Sequence, residues 1–348
     1  MTAAPPVFTA IVDTFYRPAM LKEAVDALRR QTHRDMEIIL VDNAATPQTK
    51  DYLRAVTAED SRVKLVRFEE NQYSPEDPLK MLDTCLNAAL KEATGDFVWY
   101  QSDDDYVSDD YAEKMVALFI ENPDCVTAAG LPVAVDAGGL RLDPQPRRSN
   151  YRPRFMPGRI LAQEVLRGGR TMFSAPGTIF TVRREALVKA GGYHRAIELS
   201  QLYGIVPFGV TGFDETAVLY WRRHEGQLNK QISARGWLAT DETRNLLRDW
   251  KISERWEVFG KAAAHEVADC IEKQISRTSG IWFINNLLAL RPVACARIAR
   301  KACCRPAFWG YAFTYLLDQI RKKSSRIAPR LRRLLNAPNT EPAHRTPH

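Results

Sequence analysis

This 348-residue sequence has no pair of cysteines at metal-ligand spacing. Its six cysteines, at 85, 125, 270, 295, 303 and 304, form no C-x-x-C, and only two are neighbours. This argues against a structural zinc site and a disulfide framework, and it suits a reducing compartment. No run of 18 apolar residues occurs, so no membrane-spanning helix is expected. The opening MTAAPPVFTAIV has no basic stretch ahead of a long apolar core, so no secretory leader is expected, and a cytoplasmic location follows. Glycine is missing from DTFYRP (13–18), which follows the first apolar run, and there is no Walker A loop. A nicotinamide-type dinucleotide fold needs glycines there, so that a pyrophosphate can sit on a helix N-terminus. Acid is nearly missing from one segment: between Arg291 and Arg333, twelve Lys and Arg face a single acid, Asp318. The formal net charge is +7, and this segment alone carries +11, which leaves residues 1–290 at −4. A basic C-terminus of this kind suits an anionic membrane surface or a nucleic acid.

What is present is an alternation. VFTAIV (7–12), EIILVD (37–42), VKLVRF (63–68), FVWY (97–100) and CVTAAG (125–130) read as strands. The continuous apolar runs among them are those of strands covered on both faces. Between them, Leu21, Val25 and Leu28 recur at helical spacing after Pro18, residues 47–57 read as a helix, and Leu79, Leu82, Leu86 and Leu90 mark another that Gly95 is expected to close. A helix over about 109–121 follows. Strands alternating with helices predict βαβ units and an α/β fold with a mostly parallel sheet. Residues 137–158, rich in Pro, Gly and Arg, predict a long loop. Residues 237–290 are largely helical by composition, and 307–323 interleave aromatics and leucines before turning basic.

The segment FVWYQSDDDY (97–106) runs an apolar strand into Asp103, Asp104 and Asp105. Like charges this close repel, and burying one unpaired carboxylate is costly. A solvated turn or a divalent cation reconciles them, and the residue types leave both open. In open parallel sheets, ligands bind beyond the carboxyl ends of the strands. Both Asp42-Asn43 and the three aspartates fall at such ends, although a capping turn also accounts for Asp42-Asn43.

Together, DTFYRP, Leu21 to Thr32, EIILVDNA, ENQ (70–72), LNAALKEATGDFVWYQSDDD and a helix ending in ENPD resemble the family 2 glycosyltransferases. These are inverting enzymes of the GT-A fold. AGGYHRAIELSQL and FDETAVLYWRRHEGQLN resemble that family's second half, so the likeness spans roughly residues 7–232. It implies a GT-A, nucleotide-diphospho-sugar transferase-like domain over residues 1–235. A helical, basic extension over 236–335 and a disordered tail over 336–348 are expected after it. It further implies a nucleotide-sugar donor, a divalent Mn or Mg, and a hydroxyl acceptor on a cell-surface glycan or lipid-linked glycan.

The same resemblance assigns residues. Asp105 matches the metal-facing carboxylate, with Asp103 and His224 as further metal contacts and Asp103 or Asp104 toward the ribose. Asp42, with Asn43 beside it, matches the acid that meets the base or ribose. Thr14 and Arg17 lie on the nucleotide-contacting first loop. Arg222 and Arg223 either offset phosphate charge or are solvated. The family's base lies in an acidic pair; here Leu199 stands in place of the second acid, which leaves Glu198 as the first candidate and Asp214 as the second. Tyr16 stands where Asn is frequent, and Asn71-Gln72-Tyr73 where glycine is frequent. Two other functions compete: a family member that binds nucleotide or glycan without turnover, and a protein using its basic C-terminus on nucleic acid. The second lacks an RNA-binding signature, so no nucleic-acid partner is expected. The basic segment is instead expected on the inner face of the cytoplasmic membrane, against anionic lipid.

Overall fold

The computed structural model describes residues 7–142, 153–166, 180–195, 197–234 and 251–335. The parallel half of the sheet is β1 (Phe8–Thr14), β2 (Met36–Asn43), β3 (Val63–Phe68) and β4 (Phe97–Ser102). β1 pairs in parallel with β2 and β4, and β2 with β3. Every residue of β2 is buried, as its unbroken apolar run requires. The crossovers are α1 (Pro18–Arg29), α2 (Pro47–Glu59) and α3 (Lys80–Glu92). α1 and α2 both start at a proline, whose missing N–H costs nothing in a first helical turn. Gly95 does not close α3. Ala93 ends it in extended backbone, and Gly95 is needed for close approach: a Cβ there would lie 2.3 Å from Thr9 Oγ1 and 2.8 Å from the Val7 carbonyl oxygen.

The second half is mixed. It holds β5 (Tyr106–Val107), α4 (Tyr111–Glu121), β6 (Cys125–Val135), β7 (Phe155–Pro157), α5 (Gly158–Leu166), β8 (Phe180–Arg183), α6 (Arg184–Lys189), α7 (Ile197–Gly204) and β9 (Val210–Arg222). Among the described residues, nine strands form one sheet in the order β3-β2-β1-β4-β8-β6-β9-β5, with β7 also on β9. β6 and β9 run parallel. β8 is antiparallel to β4 and β6, and β5 and β7 are antiparallel to β9. Only the two ends of the loop expected over 137–158 are described. Residues 136–141 fold back in a tight turn, with Gly139 at φ +86°, and regular structure resumes at Phe155. The stretch 143–152 lies outside the described residues, as does the tail 336–348.

The core of this half packs Phe97, Trp99, Tyr111, Met115 and Phe119 between the sheet and α4. The Phe97 and Phe119 rings stack at 4.2 Å.

The chain divides into two compact units, one drawn from Met1–Gln231 and Asp241–Glu272, the other from Ile232–Thr240 and Lys273–His348. In the first, the short helix Ile252–Trp256 buries Trp256 completely, and its indole N–H donates to the Tyr203 carbonyl at 3.0 Å. The second is helical, as composition suggested: the end of Lys261–Leu288, then Pro292–Ala302 and Pro306–Leu335. Its small core is Ile298, Ala302 and Phe308, with Trp282 and Phe283 against it. Among the described residues no helix is long and apolar enough to cross a membrane.

Candidate active site

The strand register brings the chemistry-bearing residues to one edge. Thr14 at the end of β1 pairs with Asp42 at the end of β2, and Asp13 pairs with Ser102 at the end of β4. The chain then turns through Asp103, Asp104 and Asp105 into β5, which lies on the last residues of β9. His224 follows two residues after β9 ends.

All three aspartates are buried. Arg17, from the loop after β1, bridges two of them: it reaches Asp103 at 3.3 Å and forms a short contact with Asp104. Thr14 Oγ1 donates to Asp103 at 3.3 Å, and Ser102 Oγ donates to Asp104 at 2.6 Å. His224 Nε2 lies 2.9 Å from the Asp104 carboxylate and 3.4 Å from the Arg17 guanidinium. The Gly226 N–H donates to His224 Nδ1 at 3.1 Å, so Nδ1 is the acceptor and the ring proton points from Nε2 at Asp104. Tyr16 closes over this corner, donating to the Gly226 carbonyl at 3.3 Å.

Four acids crowd the pocket, because Asp13 is there too, accepting from the Tyr100 hydroxyl at 2.8 Å. Burial, aided by the neighbouring acids, raises the carboxyls of Asp13, Asp103 and Asp105 above the usual range, although Arg17 opposes the rise at Asp13 and Asp103. Asp104 behaves differently. Burial pushes it up as well, but His224, Arg17 and Ser102 outweigh that and hold it ionised. Arg17 therefore balances the ionised Asp104, and ionising the other carboxyls as well would need further positive charge. Among the described residues no three His, Cys, Asp or Glu side chains are grouped to hold a cation by themselves. Asp104 with His224 forms a carboxylate–imidazole pair, both of whose partners are already hydrogen-bonded within the fold.

The structure shows what several of the expected residues touch. Asp105 accepts from the Arg222 backbone N–H at 2.9 Å, so it anchors β5 to β9, and the carboxylate that meets His224 is Asp104. Arg222 is buried and used by the fold: it ion-pairs with Glu23, donates to the Ala137 carbonyl and lies over the Tyr106 ring. Arg223 is exposed and stacks on Trp221. Asp214 does not reach this edge. It sits eight residues before Arg222 on β9, roughly 25 Å of extended chain away. There it caps Thr216 and pairs with Arg154, contacts that hold its carboxyl low despite burial. These contacts tie Asp214 to the turn at Thr216 and to Arg154.

Asp42 is buried and accepts from the Ala45 N–H at 2.7 Å, folding a turn that holds Ala44 at φ +51°. It also lines a cavity of roughly 230 Å³ with Lys50, Arg54, Arg67, Phe68 and Glu69. Asn43 is a buttress: its side-chain oxygen accepts from the Gln72 N–H at 2.8 Å and its amide reaches Asn71, which fixes the 71–73 loop. Glu198 lies in the first turn of α7, and burial pushes its carboxyl up to about 8. The side chain of Leu199 lies outside the description. Sequence reasoning named Tyr16 as a departure from the family pattern and missed Asp13 and Ser102 as members of this pocket. Asp13 was visible as an acid closing an apolar strand, a signal identical to the one at Asp42.

The glycosyl transferase family 2 model matches residues 9–189. A Campylobacter jejuni relative, GalNAc(5)-diNAcBac-PP-undecaprenol beta-1,3-glucosyltransferase, is 29% identical over 100 residues, covering 29% of this chain and 30% of that one. An uncharacterised Haemophilus influenzae glycosyltransferase is 24% identical over 117 residues, covering 34% and 44%. The matched stretches thus span under half of those relatives. Two solved structures share the fold. One is the Pyrobaculum calidifontis mannosyltransferase in complex with GDP-Man and Mn2+, with a TM-score of 0.53 at 18% identity over 92% of this chain and 81% of that one. The other is Staphylococcus aureus TarS (residues 1-349) in complex with UDP-GlcNAc, with a TM-score of 0.52 at 15% identity over 89% and 92%. The family match runs over more than half of the sequence and takes in the strand ends, the Arg17 loop and the aspartate turn; the chain belongs to glycosyl transferase family 2, on a GT-A fold.

Proposed function

We propose that the protein transfers a sugar, with inversion, from a nucleotide-diphosphate-sugar to a hydroxyl of a glycan or lipid-linked glycan. The observation that carries this reading is the buried, acidic turn at Asp103–Asp105, with Arg17 and His224 meeting at Asp104. A diphosphate leaving group carries charge that a divalent cation and an arginine can neutralise together. The donor set suits Mn or Mg: one ionised carboxylate and one imidazole, with diphosphate oxygens to fill the rest. Asp104 and His224 would hold the ion, which supplies charge neutralisation for the leaving diphosphate. To use Nε2 in this way, His224 must move its ring proton to Nδ1 and give up the contact from Gly226.

The remaining roles belong to the same proposal. Asp42 and the cavity beside it receive the nucleoside, while Asn43 shapes the loop that borders it. Thr14 and Arg17 fix Asp103 and Asp104, and Arg17 also faces the phosphates. Glu198, pushed up by burial, is suited to take the acceptor proton near neutral pH. The Campylobacter relative is named for a PP-undecaprenol-linked glycan, and a lipid-linked acceptor sets the work at a membrane surface, within envelope polysaccharide synthesis.

A thermal-shift panel of nucleotide-sugars, with and without Mn, tests the reading. A specific donor should raise the melting temperature, more so with Mn, and should be hydrolysed slowly. Stabilisation without turnover toward any acceptor or water would favour a binding protein instead.

A further inference from the structure

The second unit carries a surface that transfer chemistry does not use. The helix Pro306–Leu335 buries one side: Phe308 and Ala312 are inside, and the backbone of Gly280 comes so close that a Cβ there would lie 2.9 Å from the Ala312 nitrogen. A different side carries Trp309, Phe313, Leu317 and Ile320, at 48%, 63%, 40% and 51% exposure. At about 100° per residue these four fall within roughly 80° of one another, so they form a single stripe. A surface helix needs one apolar stripe to dock on its own fold, and a second marks an interface. The sequence continues the spacing through Ile327, Leu331 and Leu335, interleaved with Arg321, Lys322, Lys323, Arg326, Arg330, Arg332 and Arg333.

We infer that this stripe docks on an anionic lipid bilayer, with the helix lying in the interface. Charge complementarity selects the partner. Nucleic acid would take the cations and leave Trp309, Phe313, Leu317 and Ile320 in water. A lipid interface takes both, with apolar side chains at the acyl boundary and cations among the headgroups. The helix lies on the bilayer and does not cross it, because none of the described helices is long and apolar enough to span. The lipid-linked acceptor proposed above supplies a reason for such docking. The test needs neither donor nor acceptor, so its failure and the failure of the transfer reading are separate results.

Cosedimentation of the full chain with phosphatidylglycerol-containing vesicles, beside pure phosphatidylcholine vesicles, is the experiment. Binding to the anionic vesicles, release at high salt and roughly tenfold weaker partitioning of Phe313→Asp are expected. Phe313 is the most exposed of the four, so the variant should melt like the wild type. If it does not, Ile320→Asp serves in its place. Equal binding to both lipids, no binding at all, unchanged binding of the folded variant, or a stripe consumed in a concentration-dependent dimer would each overturn the inference.

Discussion

Glu198, the proposed base, has a burial cost that replacing it with Gln separates from its proposed role. Burial lifts its carboxyl from 4.5 to about 8. A carboxyl raised in the folded state leaves stability intact below its unfolded value and erodes it as pH rises, here between about 4.5 and 8. At about 1.36 kcal/mol per pH unit, the full cost of ionising it in place is on the order of 4 to 5 kcal/mol above pH 8. The side chain is only partly covered at the surface, and water access trims this to about 2 kcal/mol. Glu198→Gln keeps the shape and removes the titration. Urea unfolding at pH 5 and pH 8 should therefore show wild type and variant nearly equal at the lower pH and the variant about 2 kcal/mol more stable at the higher. Transfer by the variant should fall by roughly 10²- to 10⁴-fold. Identical pH dependence of stability in the two proteins would refute the burial argument, and undiminished transfer would refute the base.

Three further outcomes follow from local geometry. Ala44 holds φ +51°, where a side chain costs about 1 kcal/mol, so Ala44→Gly should gain up to about 0.5 kcal/mol in urea unfolding after glycine's own entropy is counted. Gly95→Ala drives a Cβ into Thr9 and the Val7 backbone and should lose about 2 to 3 kcal/mol by the same measurement. Asp214→Asn should leave transfer within about threefold of wild type, since that residue caps a turn far from the aspartates; a loss near 10²-fold would restore it as the base.

The parallel half of the fold was legible because burial on both faces writes an unbroken apolar run, as in β2, and a proline marks where α1 and α2 begin. The antiparallel half was harder to read. β5 has two residues and β7 three, too few to show a period, and both exist because β9 is long enough to pair with them. Gly95 was read as a helix stop because local pattern cannot report the approach of Thr9 from 86 residues away. The site shows the same divide. That a cluster of acids follows β4 was visible in the sequence. Which acid faces which way was not, since successive residues of a turn point apart and their partners are distant. Arg17 lies 87 residues from Asp104 and His224 lies 120. Asp214 was a candidate by its neighbours in sequence, which could not show its pairing with Arg154, 60 residues away.

The central claim is that Asp104 and His224 form the cation site that receives a nucleotide diphosphate. Isothermal titration of UDP and of GDP into the protein, with Mn and with chelator, reads it directly. The account predicts that for one of the two nucleotides Mn tightens binding by about tenfold or more in the wild type, and that Asp104→Asn and His224→Ala each abolish the metal-dependent part. Full metal enhancement surviving in Asp104→Asn, or nucleotide binding that ignores Mn in the wild type, would contradict it.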